Sequence, residues 1–159
     1  MSHSSSKHFL ELKIPPLVIV LIVAAMMWLV ARVAPEGGFR FPGRNGFAIC
    51  SALVGIVIIS LGMTAIRRAA TTVNPMKPES ASALVITGIY KRTRNPMYLG
   101  LLLVLLAWAS FLANWLTFIC LPLFIFYMNR FQIETEERAL ISNFGEEFVT
   151  YKAKVRRWI

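Results

Sequence analysis

Long apolar stretches alternate with short charged ones along most of this chain. The first runs from Leu17 to Val33 and is interrupted only by Arg32 near its end. The second, residues 47–66, contains twenty residues without a charge. An α-helix rises about 1.5 Å per residue, so twenty residues are enough to cross a hydrocarbon core about 30 Å thick. We therefore predict membrane-spanning helices at about 15–34 and 47–66.

A third apolar stretch, residues 95–129, has 35 residues without a charge. That length is too great for one span and slightly too small for two full ones. The pair Ala113-Asn114 is the plausible turn in its middle, which predicts a tight helical hairpin with arms at 96–113 and 115–130. Each uncharged arm is only about 24 Å long, so we expect the second arm to continue past Arg130.

Beyond Arg130 the chain becomes charged but keeps the apolar spacing of a helix. Apolar residues recur with helical periodicity up to Phe144, and Gly145 is placed to end that helix. A second amphipathic segment follows, with Phe148 and Tyr151 on one face and basic residues around it. We predict two short amphipathic helices at the carboxyl end of the chain.

These elements predict an all-α fold. The chain is interpreted as a polytopic membrane protein with four transmembrane helices, a C-terminal helical hairpin and cytoplasmic amphipathic helices. One membrane domain covers 1–159: a polar tail at 1–14, the first two spans within 15–66, and a core at 67–159. Composition agrees, because 57% of the residues are hydrophobic and only 16% are charged, against about a quarter in soluble domains.

The charge distribution predicts the orientation of the chain. The net charge is +9, but the basic residues lie in short segments between apolar runs, which favours a membrane surface over nucleic acid as the partner. The connection 67–94 holds six basic residues and one acid, Glu79. The positive-inside rule therefore places this connection and both termini in the cytoplasm, with the protein in the cell inner membrane. Arg40 and Arg44, in the connection assigned to the outside, do not follow the rule.

A basic strip just before the third span is the main candidate for chemistry. Asn95 is a favoured N-cap and Pro96 a favoured first helical residue, so a helix should start there with its free amides near Arg94. Such a helix start suits a carboxylate or phosphate, although the basic residues also suit simple anchoring to a membrane surface. The hairpin should bring this strip to the acidic segment 134–137, as a structural ion pair or as part of a functional site.

The order and spacing of several short motifs in residues 70–159 resemble the isoprenylcysteine carboxyl methyltransferase family and its phospholipid methyltransferase relatives. These motifs are Gly88-Ile89-Tyr90, Arg94-Asn95-Pro96-Met97-Tyr98-Leu99-Gly100, Glu136-Glu137 and Phe144-Gly145-Glu146-Glu147-Phe148, followed by Tyr151, Arg157 and Trp158. Asn95 departs from the histidine usual in eukaryotic members.

The resemblance implies an integral membrane enzyme that transfers a methyl group from S-adenosylmethionine to an amphiphilic acceptor, either isoprenylcysteine-like or a lipid. Arg94 and Glu137 are the implied catalytic residues. The implied cofactor-binding residues are Tyr90, Arg94, Asn95, Pro96, Tyr98, Gly100, Glu136 and Glu137.

The residue types agree with methyl transfer, which needs alignment of donor and acceptor, exclusion of water and no metal. The chain has no glycine-rich loop after a strand, which excludes a soluble Rossmann-type methyltransferase. Its two cysteines, Cys50 and Cys120, fall in predicted spans and give neither a disulfide framework nor a zinc site. Two alternatives stay open: an NADPH-dependent membrane reductase of the sterol reductase type, and a non-enzymatic membrane scaffold.

Overall fold

The computed structural model describes residues 14–40, 42–70 and 80–159, and these form helices and connections without a named strand. Most of the predicted polar tail and the middle of the 67–94 connection lie outside the described residues. The helices are α1 (Pro16–Val33), α2 (Arg44–Arg68), α3 (Pro96–Leu112), α4 (Cys120–Tyr127), α5 (Glu134–Phe144) and α6 (Glu146–Lys154). The all-α prediction is confirmed for the described part of the chain.

The fourth predicted span is one continuous helical segment that changes geometry along its length. It begins as a 3-10 helix at Trp115–Ile119, continues as α4, passes through a π-helical stretch at Met128–Ile133 and ends as α5. The predicted continuation past Arg130 is therefore confirmed. The predicted hairpin turn is also found, because Ala113 adopts a left-handed conformation with φ of 49° and ends α3.

Three helical segments among the described residues are long and apolar enough to cross a membrane: Pro16–Val33, Arg44–Arg68 and Trp115–Phe144. The predicted third span exists as α3, but with 17 residues it is the shorter apolar helix of the set. Its length of about 25 Å falls below the usual hydrocarbon thickness. Three of the four predicted spans thus have the required length, and the crossing by α3 stays a prediction.

Helices α2 and α3 approach closely at two glycines. A Cβ added to Gly55 would lie 2.7 Å from the carbonyl oxygen of Gly100, and one added to Gly100 would lie 2.5 Å from the carbonyl oxygen of Gly55. Seven residues further along α2, Gly62 packs against Pro96. Gly55 and Gly62 thus allow α2 to approach α3 closely, and small residues of this kind are typical of membrane helix interfaces.

A leucine at Gly100 should therefore force α2 and α3 apart. The added side chain meets backbone and the flank of Ile59 rather than a movable side-chain end, so we expect a loss of at least about 1–3 kcal/mol in stability. Gly46→Leu is the matched control, because nothing lies within 4 Å of a Cβ at Gly46. Thermal melting in detergent checks this pair; equal melting temperatures would contradict the close packing.

Helix α1 is attached to the rest of the fold at three heights. Gln132 Nε2 donates to the carbonyl oxygen of Ile14 at 2.7 Å, just before the helix. Trp108 Nε1 donates to Ala24 O at 3.0 Å near its middle, and Asn114 Nδ2 donates to Ala34 O at 2.7 Å at its end. Buried side chains of α1, among them Met27, join the core formed by α3 and α4. The first helix is thus an integrated part of the packed bundle.

Candidate functional site

The connection that precedes α3 is bound to the carboxyl-terminal segment of the chain. The backbone amide of Arg94 donates to Arg156 O at 3.0 Å. The side chains of Thr93 and Asn95 both donate to Arg157 O, at 3.2 and 3.0 Å. Asn95 occupies the N-cap position, but its side chain accepts no hydrogen bond from the helix amides, so the predicted capping by its side chain is wrong. The helix does start at Pro96, but the Asn95 amide group is engaged by the terminal segment instead.

A cluster of one acid and three bases lies where the connection before α3 meets α5 and α6. We call this contact region the junction. Glu137 is nearly buried, with its side chain 8% exposed, and it pairs with Arg94 at 2.8 Å, Lys152 at 3.0 Å and Arg157 at 2.9 Å. Arg94 also donates to the carbonyl oxygens of Lys152 and Val155. Because a buried carboxylate needs partners to offset its lost hydration, the cluster fixes α5, α6 and the connection relative to one another.

Within this cluster, Arg94 of the basic strip points in a different direction from the one predicted. The sequence predicted a concentrated positive site with Arg94 facing a free helix start; the structure instead turns Arg94 toward α5 and α6. Its side chain is only 10% exposed because it is covered by the segment it binds. The predicted approach of the strip to the acidic segment is confirmed by the Arg94–Glu137 pair.

Glu136 makes a separate contact, with α3 rather than with the carboxyl-terminal segment. Its carboxylate accepts a hydrogen bond from the hydroxyl of Tyr98, a buried residue in the first turn of α3. Consecutive helical residues point about 100° apart, so Glu136 and Glu137 reach different neighbours. Glu137 binds the carboxyl-terminal segment, whereas Glu136 faces α3.

Two further tyrosines connect the site to α6. The hydroxyl of Tyr151 donates to Tyr90 O at 2.7 Å. Burial raises the pKa of Tyr151 to about 12, against the opposing effect of Arg94. Burial, with Tyr151 and Glu136 nearby, raises the pKa of Tyr90 above its usual range. Both hydroxyls therefore stay protonated at neutral pH, and the Tyr151 hydroxyl serves as a hydrogen-bond donor.

The predicted site residues fall into two groups. One group surrounds the junction of α3, α5 and α6: Tyr90, Arg94, Asn95, Tyr98, Glu136 and Glu137. Pro96 and Gly100 lie instead at the contact with α2, where each faces a glycine. Their predicted contact with a cofactor stays a prediction, as do the catalytic roles of Arg94 and Glu137.

Lys152 is a residue of this site that the sequence did not reveal. The helical pattern of α6 placed it among the basic residues on the polar face, and nothing in that pattern distinguishes it from Lys154. Its role follows from the tertiary contact with Glu137 alone.

Two buried polar atoms of the described residues have no hydrogen-bond partner: Arg94 Nε and Gln132 Oε1. Arg94 belongs to the junction, whereas Gln132 binds Ile14 O, just before α1, through its Nε2. Unsatisfied buried groups are uncommon in folded proteins and mark places where a ligand or a water can bind. The described residues hold no group of three or more His, Cys, Asp or Glu that could bind a metal ion.

Comparison with known proteins gives a family and two relatives. The phospholipid methyltransferase family model matches residues 44–147. An uncharacterized protein of Haemophilus influenzae is 52% identical over 63 residues, which are 40% of this chain and all of that protein. The protein-S-isoprenylcysteine O-methyltransferase of Saccharomyces cerevisiae is 39% identical over 82 residues, or 50% of this chain. That alignment covers only 33% of the yeast enzyme. No solved structure matches the chain significantly.

Proposed function

Because the chain belongs to the phospholipid methyltransferase family, we propose that it is an integral membrane enzyme that transfers a methyl group from S-adenosylmethionine to an amphiphilic acceptor. The observation that carries this proposal is the junction where Tyr98, Glu136, Arg94 and Glu137 meet at the ends of apolar helices. Polar groups are concentrated there beside segments long enough to cross a bilayer.

The residues of the junction fit the chemistry of S-adenosylmethionine. Its amino-acid end carries a carboxylate and an ammonium, and its ribose carries hydroxyls. The unpartnered Arg94 Nε is a donor suited to the carboxylate. Glu136 has a second carboxylate oxygen beyond the one that Tyr98 binds, and it suits a hydroxyl or the ammonium.

When bound, S-adenosylmethionine supplies an electrophilic methyl group on a sulfonium sulfur. The protein itself then has to position the donor and the acceptor. Glu137 with its three bases holds α5 and α6 against the connection, which fixes the frame of the site. The Tyr98 hydroxyl orients the Glu136 carboxylate, and the apolar helices exclude water.

The acceptor is proposed to be lipid-like. The family model is named for phospholipids and the yeast relative for an isoprenylcysteine, and both kinds of molecule join a polar head to an apolar tail. A junction at the end of membrane-spanning helices is reached most directly by such a molecule. We place the site at the cytoplasmic face of the inner membrane, with both termini inside, on the charge bias of the 67–94 connection.

Glu136→Gln should weaken binding of S-adenosylmethionine by about 1.5–3 kcal/mol, the range for a hydrogen bond to a charged group. Glu134→Gln is the matched control, because it makes the same change on the same helix but removes only an exposed pair with Arg130. Calorimetry on the detergent-solubilised protein measures both dissociation constants.

Unchanged affinity in the folded Glu136→Gln protein would remove this carboxylate from the pocket. Binding of NADPH in place of S-adenosylmethionine would favour the reductase, and binding of neither would favour the scaffold.

A further inference from the structure

A groove of about 580 Å³ lies beside the junction, between the connection before α3 and one face of α6. Its volume is within the range of small-molecule sites. The residues that line it are Ile86, Lys91, Glu146, Glu147, Thr150, Tyr151, Lys154 and Val155. Tyr151 joins the groove to the junction through its bond to Tyr90 O.

The acidic and basic residues that α6 contributes to this groove lie at opposite ends of the helix. Glu146, Thr150 and Lys154 are spaced four residues apart and so form one row along the helix. The acid and the lysine at its ends are about 12 Å apart along the axis, too far for a direct ion pair. Lys91 adds a second cation from the opposite wall.

The charged side chains that line the groove form no ion pairs with other described residues. The pairs that the described part of the chain does form in this region involve Glu137 with Arg94, Lys152 and Arg157. Glu147 and Lys154 are exposed and belong to none of them. Along α6 the groove thus offers Glu146 and Glu147 at one end and Lys154 at the other, and Lys91, Ile86 and Val155 also line it.

We propose that this groove binds a zwitterion, with its anionic group toward Lys154 and its ammonium toward Glu146 and Glu147. This inference rests on the proposed function, which provides two possible sources of the zwitterion. One source is the amino-acid end of the methyl donor, which is close because Tyr151 touches the junction. The other is the headgroup of a phosphoethanolamine lipid acceptor.

The test uses two charge reversals, Lys154→Glu and Glu147→Lys, with Lys91→Glu as a second cation variant should Lys154→Glu fail to fold. A zwitterion needs both ends of the groove, so each reversal should weaken its binding at least about tenfold. Arg156→Glu is the matched control: it changes the charge equally next to Val155, but its exposed side chain does not line the groove. It should change binding less than about twofold.

Two probes separate the sources, each measured by calorimetry in detergent: S-adenosylhomocysteine and a short-chain phosphatidylethanolamine. A tenfold loss for S-adenosylhomocysteine in both reversals assigns the groove to the donor, and the same loss for the lipid assigns it to the headgroup. If the wild-type protein binds no S-adenosylhomocysteine, the proposed function fails. The lipid probe then still tests whether the groove binds a zwitterion.

Three outcomes would overturn the zwitterion site. Unchanged affinity for both probes is the first. Opposite responses, with Glu147→Lys strengthening and Lys154→Glu weakening binding, would show a simple anion site. A lower melting temperature without any change in affinity would show that these charges only compensate the dipole of α6.

Discussion

Replacing Glu137 with alanine is expected to lower the free energy of unfolding by about 3–5 kcal/mol, the cost of leaving a buried ion without its partner. Arg94 is only 10% exposed and loses its anionic partner in this variant. Lys152 and Arg157 lose theirs as well. For a chain of this size the melting temperature should fall by about 6–20 °C.

Glu134→Ala is the matched control, since it removes a glutamate two-fifths exposed that pairs with Arg130 on the same helical segment. Exposed pairs of this kind contribute about 0.2–1 kcal/mol. Thermal melting in detergent, followed by circular dichroism, compares the two. Equal shifts in the two variants would show that the Glu137 cluster does not hold the junction together.

The specificity constant kcat/KM should climb steeply with the length of the acceptor's apolar tail. Each methylene buried against the protein contributes about 0.8 kcal/mol, or about a fourfold change in kcat/KM, so one additional five-carbon unit is worth about a thousandfold until the tail no longer fits. The physical reason is the position of the junction at the ends of α3 and α5, where a head can reach Glu136 while its tail stays among apolar helices.

A homologous series of prenyl or acyl acceptors measures this climb. Each acceptor is assayed at the same free concentration in water, because the gain per methylene is counted from water, and its partition into detergent is measured separately in protein-free micelles. A tail-less, water-soluble acceptor is the control. A kcat/KM that is flat with tail length, or highest for the tail-less acceptor, would contradict entry from the membrane.

The parts of the fold that could be predicted are those set by local signals. Pro96 starts α3 as predicted, because a residue without an amide hydrogen is favoured there. Gly145, with its positive φ, separates α5 from α6 as predicted. The hairpin turn at Ala113 was predicted from the length of the uncharged run and from the Ala113-Asn114 pair in its middle. Each of these features depends on a few adjacent residues or on simple length.

The parts that could not be predicted depend on contacts between distant residues. Asn95 was predicted to cap α3, but its side chain binds Arg157 O, 62 residues away. Lys152 was indistinguishable from other basic residues of α6 until its contact with Glu137 was known. Gly100 illustrates a different limit: a motif identified it, but the motif does not reveal that each of Gly55 and Gly100 lies against the carbonyl oxygen of the other.

The proposal of a membrane methyltransferase is tested most directly by following a labelled methyl group. Purified protein is incubated with S-adenosylmethionine labelled in that methyl group and with lipids extracted from the host membrane, and the labelled product is identified. We expect the label to enter a lipid-like product with wild-type protein and with Glu134→Gln, and to be strongly reduced with Glu136→Gln. A folded wild-type protein that transfers no label to any lipid-like molecule would contradict the proposed function.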